Sequence, residues 1–180
     1  MWRRVQRVGA SSVAVAVLGL SSGCSLFAST PAPPAVGDSC LVGGWVDVKE
    51  DNSSGYTWLG LPLAVSGLAG AQLKIQSDGT ETQVFDGSQP LVGLTRAGQQ
   101  LAISIRGSVR YRIHGDGKNY TESGTGAQMP TTATLNGQPV SYHSAQTPGP
   151  GTYSCTKNSL TMTTRGGVQT DSWARSSSGA

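Results

Sequence analysis

Apolar and polar residues alternate along much of the chain after residue 40, which is the pattern of half-buried β-strands. Every second residue is apolar in Ala71–Gln76, and the same alternation recurs in Leu101–Ile105 and Val109–Ile113. The turn pairs Asp78-Gly79, Asp116-Gly117 and Asn136-Gly137 separate such runs and favour tight hairpins. No stretch keeps the 3.6-residue apolar period of a helix over three turns. The pattern therefore predicts about eight to ten short strands and no long helix.

Tight connections between consecutive strands indicate antiparallel pairing, which fits either a barrel or a sandwich. A closed up-and-down barrel leaves no unpaired sheet edge, so it is the simplest arrangement of these strands. We therefore predict an all-β fold, a single antiparallel up-and-down β-barrel, over residues 40–176. Residues 177–180 are expected to form a disordered tail.

The first 23 residues have the composition of a secretory signal peptide. Arg3, Arg4 and Arg7 make a basic start without acidic residues, and Val8–Leu20 is apolar or small throughout. This apolar run is shorter than the roughly 20 residues that a membrane-spanning helix needs. Residues 1–23 are therefore predicted to be a signal peptide.

Leu20-Ser21-Ser22-Gly23-Cys24 resembles the lipobox of bacterial lipoproteins, whose cysteine thiol is linked to diacylglycerol before cleavage. One position departs from the family pattern, because Ser21 stands where a Leu is expected. The resemblance implies that Cys24 carries S-diacylglycerol and an N-acyl chain such as palmitate. It also implies a lipid anchor on the extracytoplasmic face of the cell membrane. Ordinary secretion with an unmodified Cys24 is the alternative.

The segment that follows Cys24 is predicted to be a tether, covering residues 24–39 together with the lipidated cysteine. Pro31, Pro33 and Pro34 favour an extended polyproline II path, and no hydrophobic periodicity is present. The segment would act as a semi-rigid spacer between membrane and barrel.

Charge and length limit the classes of partner. Removing residues 1–23 leaves 157 residues (180 − 23), which is enough for one domain. The net charge of +3 comes from Arg3, Arg4 and Arg7, and the remaining 10 basic residues (13 − 3) balance 10 acidic ones. The mature chain is thus near neutral, and no nucleic-acid partner is expected.

The chain has three cysteines. If Cys24 carries lipid, Cys40 and Cys155 remain as one pair in a compartment where disulfides persist. We predict a Cys40–Cys155 disulfide. Two free, buried thiols are the alternative.

No motif in the sequence indicates catalysis or metal binding. His114 and His143 lack further ligands at the spacing of a metal site. Asp47, Asp86 and Asp171 could meet across a barrel, but scattered carboxylates of this kind usually occupy surface turns. We therefore predict a non-enzyme with no catalytic residues, no metal and no cofactor.

The run from Cys40 to Trp45 resembles the Gly-x-Trp signature of lipocalin-like (calycin) barrels, here Gly43-Gly44-Trp45. The resemblance implies that Trp45 lies at the closed barrel end and that an Arg of the last strand, Arg175, packs over it. A guanidinium can stack on the indole ring while it donates to free carbonyl groups. The ordered set of short motifs also resembles small lipocalin-like lipoproteins of actinobacterial type: Cys40–Trp45, Ser77–Thr80, Phe85–Ser88 and Thr152–Cys155.

The segment Tyr56–Ala71 is apolar and glycine-rich, and it does not alternate. One interpretation is a flexible portal at the barrel mouth that admits a hydrophobic ligand. The other is a packed loop or irregular strand. The candidate portal residues are Tyr56, Trp58, Leu59, Leu61, Leu63 and Leu68.

Two functions follow from these expectations. The first is a non-enzymatic binding module for a small hydrophobic or amphipathic ligand, anchored in membrane lipid. The second is a structural or protein-interaction module of the cell envelope, with an envelope protein as partner and a fully packed barrel. Bulky side chains that could fill a small barrel are Trp45, Phe85, Tyr111, Met162 and Trp173.

Overall fold

The computed structural model describes residues 36–59, 61–164 and 169–177. The described residues form fifteen β-strands and no helix. The strands are β1 Gly43–Trp58, β2 Leu61–Gly67, β3 Gln72–Ile75, β4 Thr80–Val84, β5 Leu91–Leu94, β6 Gln100–Ile105, β7 Ser108–Gly115, β8 Asn119–Ser123, β9 Ala127–Met129, β10 Thr131–Leu135, β11 Gln138–Val140, β12 Ser144–Gln146, β13 Pro150–Cys155, β14 Ser159–Thr164 and β15 Gln169–Arg175. In the part of the chain described, no helix has the length and apolar character needed to cross a membrane.

Eight of these strands close into an antiparallel barrel, which confirms the predicted fold. Around the barrel the order is β1, β3, β4, β7, β8, β13, β14 and β15, and β15 pairs with β1 again. This is also the order of the eight strands along the chain. The barrel is therefore an up-and-down meander with insertions between some of its strands.

Five of the inserted strands extend the same 13-stranded sheet outward from β1. The first part of β1 pairs with β3, whereas its second part pairs with β2. From β2 the sheet continues through β5 and β6 to β10 and β11. We call β2, β5, β6, β10 and β11 the annex sheet. Separately, β9 and β12 form a two-stranded ribbon.

One continuous hydrophobic core joins the barrel and the annex sheet. Barrel side chains such as Leu73 and Leu160 belong to it together with Leu101 and Ile103 of the annex sheet. The predicted hairpin at Asn136-Gly137 is confirmed as β10–β11, but it lies in the annex sheet and not in the barrel. Alternation predicts a strand without saying which sheet the strand joins.

Candidate functional site

Residues 36–42 cross one end of the barrel, which we call the closed end. The Gly115 amide donates to Val36 O, and the Val36 amide donates to Ser77 O, which ties the segment to β7 and to the β3–β4 turn. Within the segment, the side chains of Val36 and Leu41 are buried in the core. The segment thus covers the closed end, and it includes residues 36–39 at the end of the predicted tether.

A disulfide fixes this covering segment to the barrel wall. Cys40 is bonded to Cys155 at the end of β13, across 115 residues of sequence and with 6.1 Å between the two Cα atoms. The predicted pairing of Cys40 and Cys155 is confirmed. Nearby, the Tyr153 hydroxyl donates to Asp38 Oδ2 at 2.6 Å and accepts from the Gly117 amide at 2.7 Å. The bond to Asp38 and burial raise the pKa of Tyr153 to about 12, with burial the larger cause.

Arg175 covers Trp45 at the closed end, as the lipocalin resemblance implies. The guanidinium carbon lies 3.7 Å from the centroid of the indole ring. Nη1 donates to Val42 O at 2.7 Å and Nη2 to Cys40 O at 3.3 Å, so the guanidinium satisfies carbonyls of the covering segment. Gly43 explains the first position of the Gly-x-Trp motif. Its φ is +137°, and a Cβ there would collide with Nη1 of Arg175.

Acidic side chains occupy the interior of the barrel, away from the closed end. Asp47 and Glu81 are 2% and 0% exposed, whereas Glu122 and Asp171 are partly exposed in a pocket. We call these four residues the acidic cluster: Asp47, Glu81, Glu122 and Asp171. Scattered carboxylates usually lie in surface turns, but Asp47 and Asp171 lie inside the barrel. Asp86 lies in such a turn, where its carboxylate accepts from the Gly107 amide.

The period-two alternation of strands places the acidic cluster inside. Asp47, Glu122 and Asp171 each lie two positions from a buried aromatic residue on the same strand. Residues two apart face the same side of a strand, so these acids point inward with the aromatic rings. The aromatic partners are Trp45, Tyr120 and Trp173. This parity is the sequence signal that could have revealed the cluster.

A β-bulge brings a further acid to the same face. The register between β1 and β15 shifts between Asp47 and Lys49, and the intervening Val48 is 54% exposed. The extra residue changes the parity of β1, so that Glu50 is buried as well as Asp47. Glu50 stands opposite Asp171 in the strand register.

Burial makes the charged form of these carboxyl groups costly. Burial, with the nearby Asp171, raises the pKa of Asp47 to about 7. Burial raises the pKa of Glu81 to about 7, although the Gln83 amide donates to it at 2.7 Å. Burial raises the pKa of Asp171 to about 6, although a hydrogen bond from the Gln169 side chain acts to lower it. Burial and then Glu81 raise the pKa of Glu122 well above its ordinary value. Loss of water and mutual repulsion act in the same direction.

A partly open pocket of about 60 Å³ lies beside the acidic cluster. Glu122 and Asp171 line it together with aromatic rings and neutral polar side chains. A water molecule needs roughly 10–15 Å³ of pocket volume, so the pocket has room for about four to six waters or for a group of that size. Pockets that enclose a whole drug-sized ligand measure about 300–1,000 Å³. The pocket therefore fits a polar group and not an entire amphipathic molecule.

Several polar atoms in and beside this pocket have no hydrogen-bond partner in the described structure. The Tyr111 hydroxyl and the Trp173 Nε1 both lack one, although these residues are only 4% and 5% exposed. One carboxylate oxygen of Glu81 also lacks a partner. A buried polar atom left unpaired costs about 1–3 kcal/mol. The interior therefore offers both donors and acceptors to a polar occupant.

Of the candidate portal residues whose side chains the structure describes, two lie in the core and one is exposed. Leu63 of β2 and Leu68 after it are 2% and 4% exposed, whereas Leu59 in the β1–β2 hairpin is 85% exposed. Backbone pairing places Tyr56, Trp58 and Leu61 in the β1–β2 hairpin, while their side chains lie outside the description. The segment is thus paired strand over much of its length, as the second interpretation expected. A ligand portal stays a prediction.

The remaining predicted positions are placed as follows. His114 and His143 are exposed, and among the described residues no group of three or more His, Cys, Asp or Glu side chains is arranged to hold a metal ion. All five bulky candidates for the interior are buried: Trp45, Phe85, Tyr111, Met162 and Trp173. Cys24, the signal peptide and the first part of the tether lie outside the described residues.

The eight-stranded antiparallel barrel is consistent with a lipocalin-like architecture, and the Arg175–Trp45 contact agrees with it. A barrel fold is also compatible with a binding module. The lipoprotein assignment rests on the sequence around Cys24. Comparisons with protein-family models, curated proteins and solved structures find no match to this chain.

Proposed function

We propose that the chain is a non-enzymatic binding module that takes the polar group of a small amphipathic ligand into the barrel. The observation that carries this proposal is the pocket beside the acidic cluster, where Tyr111 and Trp173 present polar atoms without protein partners. Such atoms are normally satisfied by ordered water or by a ligand. The apolar remainder of the ligand would stay at the mouth of the pocket, because about 60 Å³ admits few atoms.

We further propose that the module is held by lipid on Cys24 at the extracytoplasmic face of a membrane. The basic start, the short apolar run and the small residues before Cys24 support this location. The Cys40–Cys155 disulfide supports it independently, because such bonds persist mainly in oxidising compartments.

Binding is tested on the full-length protein extracted in detergent. Trp173 lines the pocket, so the NMR signal of its indole ring reports on occupancy. The signal is assigned from Trp173→Phe and followed against a panel of small polar and amphipathic molecules. A saturable shift with at least one chemical class is expected, weakened in Tyr111→Phe and unchanged in the surface control Arg110→Ala. A Trp173 signal that responds to no member of the panel would refute the binding function.

The anchor is tested by metabolic labelling with palmitate. Cys24→Ala should abolish labelling, because it removes the thiol that receives the diacylglycerol and the site of cleavage. The matched control Ser25→Ala should stay labelled. Labelling that persists in Cys24→Ala would contradict the assignment.

Exposed apolar residues favour a second candidate, a protein-interaction module of the envelope. Val92 and Leu94 share the outward face of β5 and are 37% and 67% exposed, and Leu59 is exposed as well. Apolar side chains left in water often mark an interface. A photoreactive residue at position 94 should then crosslink one discrete partner, while the same group at position 110 on β7 should not. Equal crosslinking from both positions would count against this candidate.

A further inference from the structure

The residues that line the pocket combine acidic, aromatic and uncharged polar side chains with the apolar Met162. None of those described is Lys, Arg or His. Glu122 and Asp171 supply carboxylates, and the rings of Tyr111, Tyr120 and Trp173 stand beside them. Carboxylates attract cations directly, and aromatic faces attract them through the ring quadrupole. The walls of the pocket therefore favour a positively charged occupant.

We infer that the pocket binds a small organic cation: a protonated amine that also carries a hydrogen-bond acceptor, as a 2-amino alcohol does. This inference rests on the proposed binding function and specifies the ligand class for the same pocket. The ammonium group would donate hydrogen bonds to the carboxylates of Asp171 and Glu122. The acceptor atom of the ligand would accept hydrogen bonds from the unpartnered donors of the pocket.

The unpartnered donors are what distinguish this ligand from a simple cation. Tyr111 OH and Trp173 Nε1 have no protein acceptor, and each side chain is more than nine-tenths buried in the pocket wall. An ammonium group has only donors: it could donate to the Tyr111 oxygen, but it would leave the Trp173 N–H, which can only donate, unpaired. A hydroxyl or carbonyl oxygen two or three bonds from the nitrogen would accept from this N–H. Unpaired polar groups are a strong source of selectivity between ligands that differ by one group.

The volume sets the size of the part that enters. About 60 Å³ corresponds to roughly four to six atoms of water size. Ethanolamine has four non-hydrogen atoms, so it is a suitable probe. The same chemistry occurs as a free amino alcohol and as the head group of a lipid, and the experiment must separate these two sources.

Protons should leave the acidic cluster when the cation binds. The titratable groups that face the interior come from five strands: Asp47 and Glu50 on β1, Glu81 on β4, Tyr111 on β7, Tyr120 and Glu122 on β8, and Asp171 on β15. Because burial raises the pKa of Asp171 to about 6 and that of Glu81 to about 7, these groups hold protons near neutral pH. An alkylammonium ion stays charged through this range, as a lysine side chain does. Binding should therefore be about tenfold tighter at pH 8 than at pH 6 if one proton is released.

The experiment titrates the full-length protein in detergent with ethanolamine and follows the Trp173 indole signal and the melting temperature. A saturable shift of the signal and a rise of roughly 3–5 °C at tenfold excess over Kd are expected. Propylamine, which lacks the acceptor, should bind at least fivefold more weakly, and ethylene glycol, which lacks the charge, should not bind. Lysophosphatidylethanolamine, added above its critical micelle concentration, separates the two sources. If it shifts the Trp173 signal at a lower concentration than ethanolamine does, the ligand is a lipid head group; if it does not, the ligand is the free amine.

Variants localise the effect. Asp171→Asn removes a carboxylate at nearly constant shape and should weaken ethanolamine binding at least tenfold and reduce its pH dependence. The matched control Asp51→Asn changes an exposed carboxylate on β1 and should leave binding unchanged. Ethylene glycol binding as tightly as ethanolamine, or full ethanolamine affinity in Asp171→Asn, would overturn the cation while leaving the binding function intact. A calcium salt that displaces ethanolamine at lower concentration would overturn the organic cation. A Trp173 signal unmoved by charged and neutral probes alike would overturn both proposals.

Discussion

The closed end and the acidic cluster are built on the same eight strands, yet they treat polar groups in opposite ways. At the closed end, the Tyr153 hydroxyl and the Arg175 guanidinium each bridge the covering segment to the barrel. In and beside the cluster, one carboxylate oxygen of Glu81 and the Tyr111 hydroxyl lack a protein partner. The closed end therefore stabilises the fold, while the cluster costs stability. A barrel braced at one end can keep polar groups in its interior that would serve a ligand.

The largest effect should come from the disulfide. Cys40→Ser combined with Cys155→Ser frees a closed loop of 115 residues, which should lower the free energy of unfolding by about 4–5 kcal/mol. The melting temperature should fall by roughly 15 °C, measured by calorimetry. Reductant should produce the same fall in the wild type and none in the double variant. A wild-type melting temperature that is insensitive to reductant would show that the closed end is not the brace.

The next effect concerns Arg175. Arg175→Ala removes the stacking on Trp45 and the bonds to Val42 O and Cys40 O, and it should cost about 2–4 kcal/mol. Arg175→Lys keeps the charge but loses the planar fork, so it should recover less than half of this loss. Arg110→Ala on the outer face of β7 is the control and should change stability by less than about 0.5 kcal/mol. Equal stability of both alanine variants in urea titrations would contradict the bracing role.

The acidic cluster should show itself in the pH dependence of stability. Burial raises the pKa of Glu81 from 4.5 to about 7, so the folded protein binds more protons than the unfolded chain within that range. The free energy of unfolding should therefore fall as the pH rises from 5 to 8, and Glu81 alone should account for about 2–3 kcal/mol of the fall. Glu81→Gln should flatten the curve and be more stable than the wild type at pH 8.

Asp51→Asn is the control for Glu81→Gln, because its carboxyl group is exposed and its removal should leave the curve unchanged. Asp116, whose pKa is lowered to about 2 by bonds from the Asn119 side chain and nearby amides, titrates below this pH range. A wild-type protein that gains stability between pH 5 and 8 would contradict a raised pKa for these buried carboxyl groups.

The smallest effect on the free energy of unfolding is expected when two tyrosine hydroxyls are removed, one at the closed end and one beside the cluster. Tyr153→Phe removes the bonds to Asp38 and Gly117 and should cost about 1–2 kcal/mol. Tyr111→Phe removes a buried hydroxyl without a protein partner and should raise stability by about 1 kcal/mol. Chemical denaturation of both variants measures the difference. Equal losses would mean that the two regions do not differ in how they satisfy polar groups.

The strands and the closed end were largely predictable from the sequence. Alternation in Leu101–Ile105 and Val109–Ile113 matches β6 and β7, and the cysteine count and the Gly-x-Trp motif led to the disulfide and to Arg175. The annex sheet was not predictable, because alternation reports which face of a strand is buried and not which strand lies beside it. Only register and turn geometry decide that β6 pairs with β5 and β10.

The acidic cluster was missed for a different reason. β4 and β8 are almost wholly polar in sequence, so alternation of hydrophobicity could not assign a face to Glu81, and Tyr120 alone indicates the face of Glu122. Their burial arises from barrel closure, which encloses one face of every barrel strand whatever its composition. The bulge at Val48 also breaks the parity of β1. Distance from a buried aromatic residue, as for Asp171 and Trp173, was the usable signal.

The difference between the two regions depends on carboxyl groups that the barrel encloses and that stay protonated close to neutral pH. Carbon-detected NMR titration of the side-chain carboxyl groups in the full-length protein, without added ligand, tests this most directly. Midpoints near 6–7 are expected for Asp47, Glu81 and Asp171, and a midpoint near 2 for the exposed Asp116 as an internal reference. Midpoints below about 5 for every Asp and Glu would contradict it, because carboxyl groups in contact with water titrate in that range.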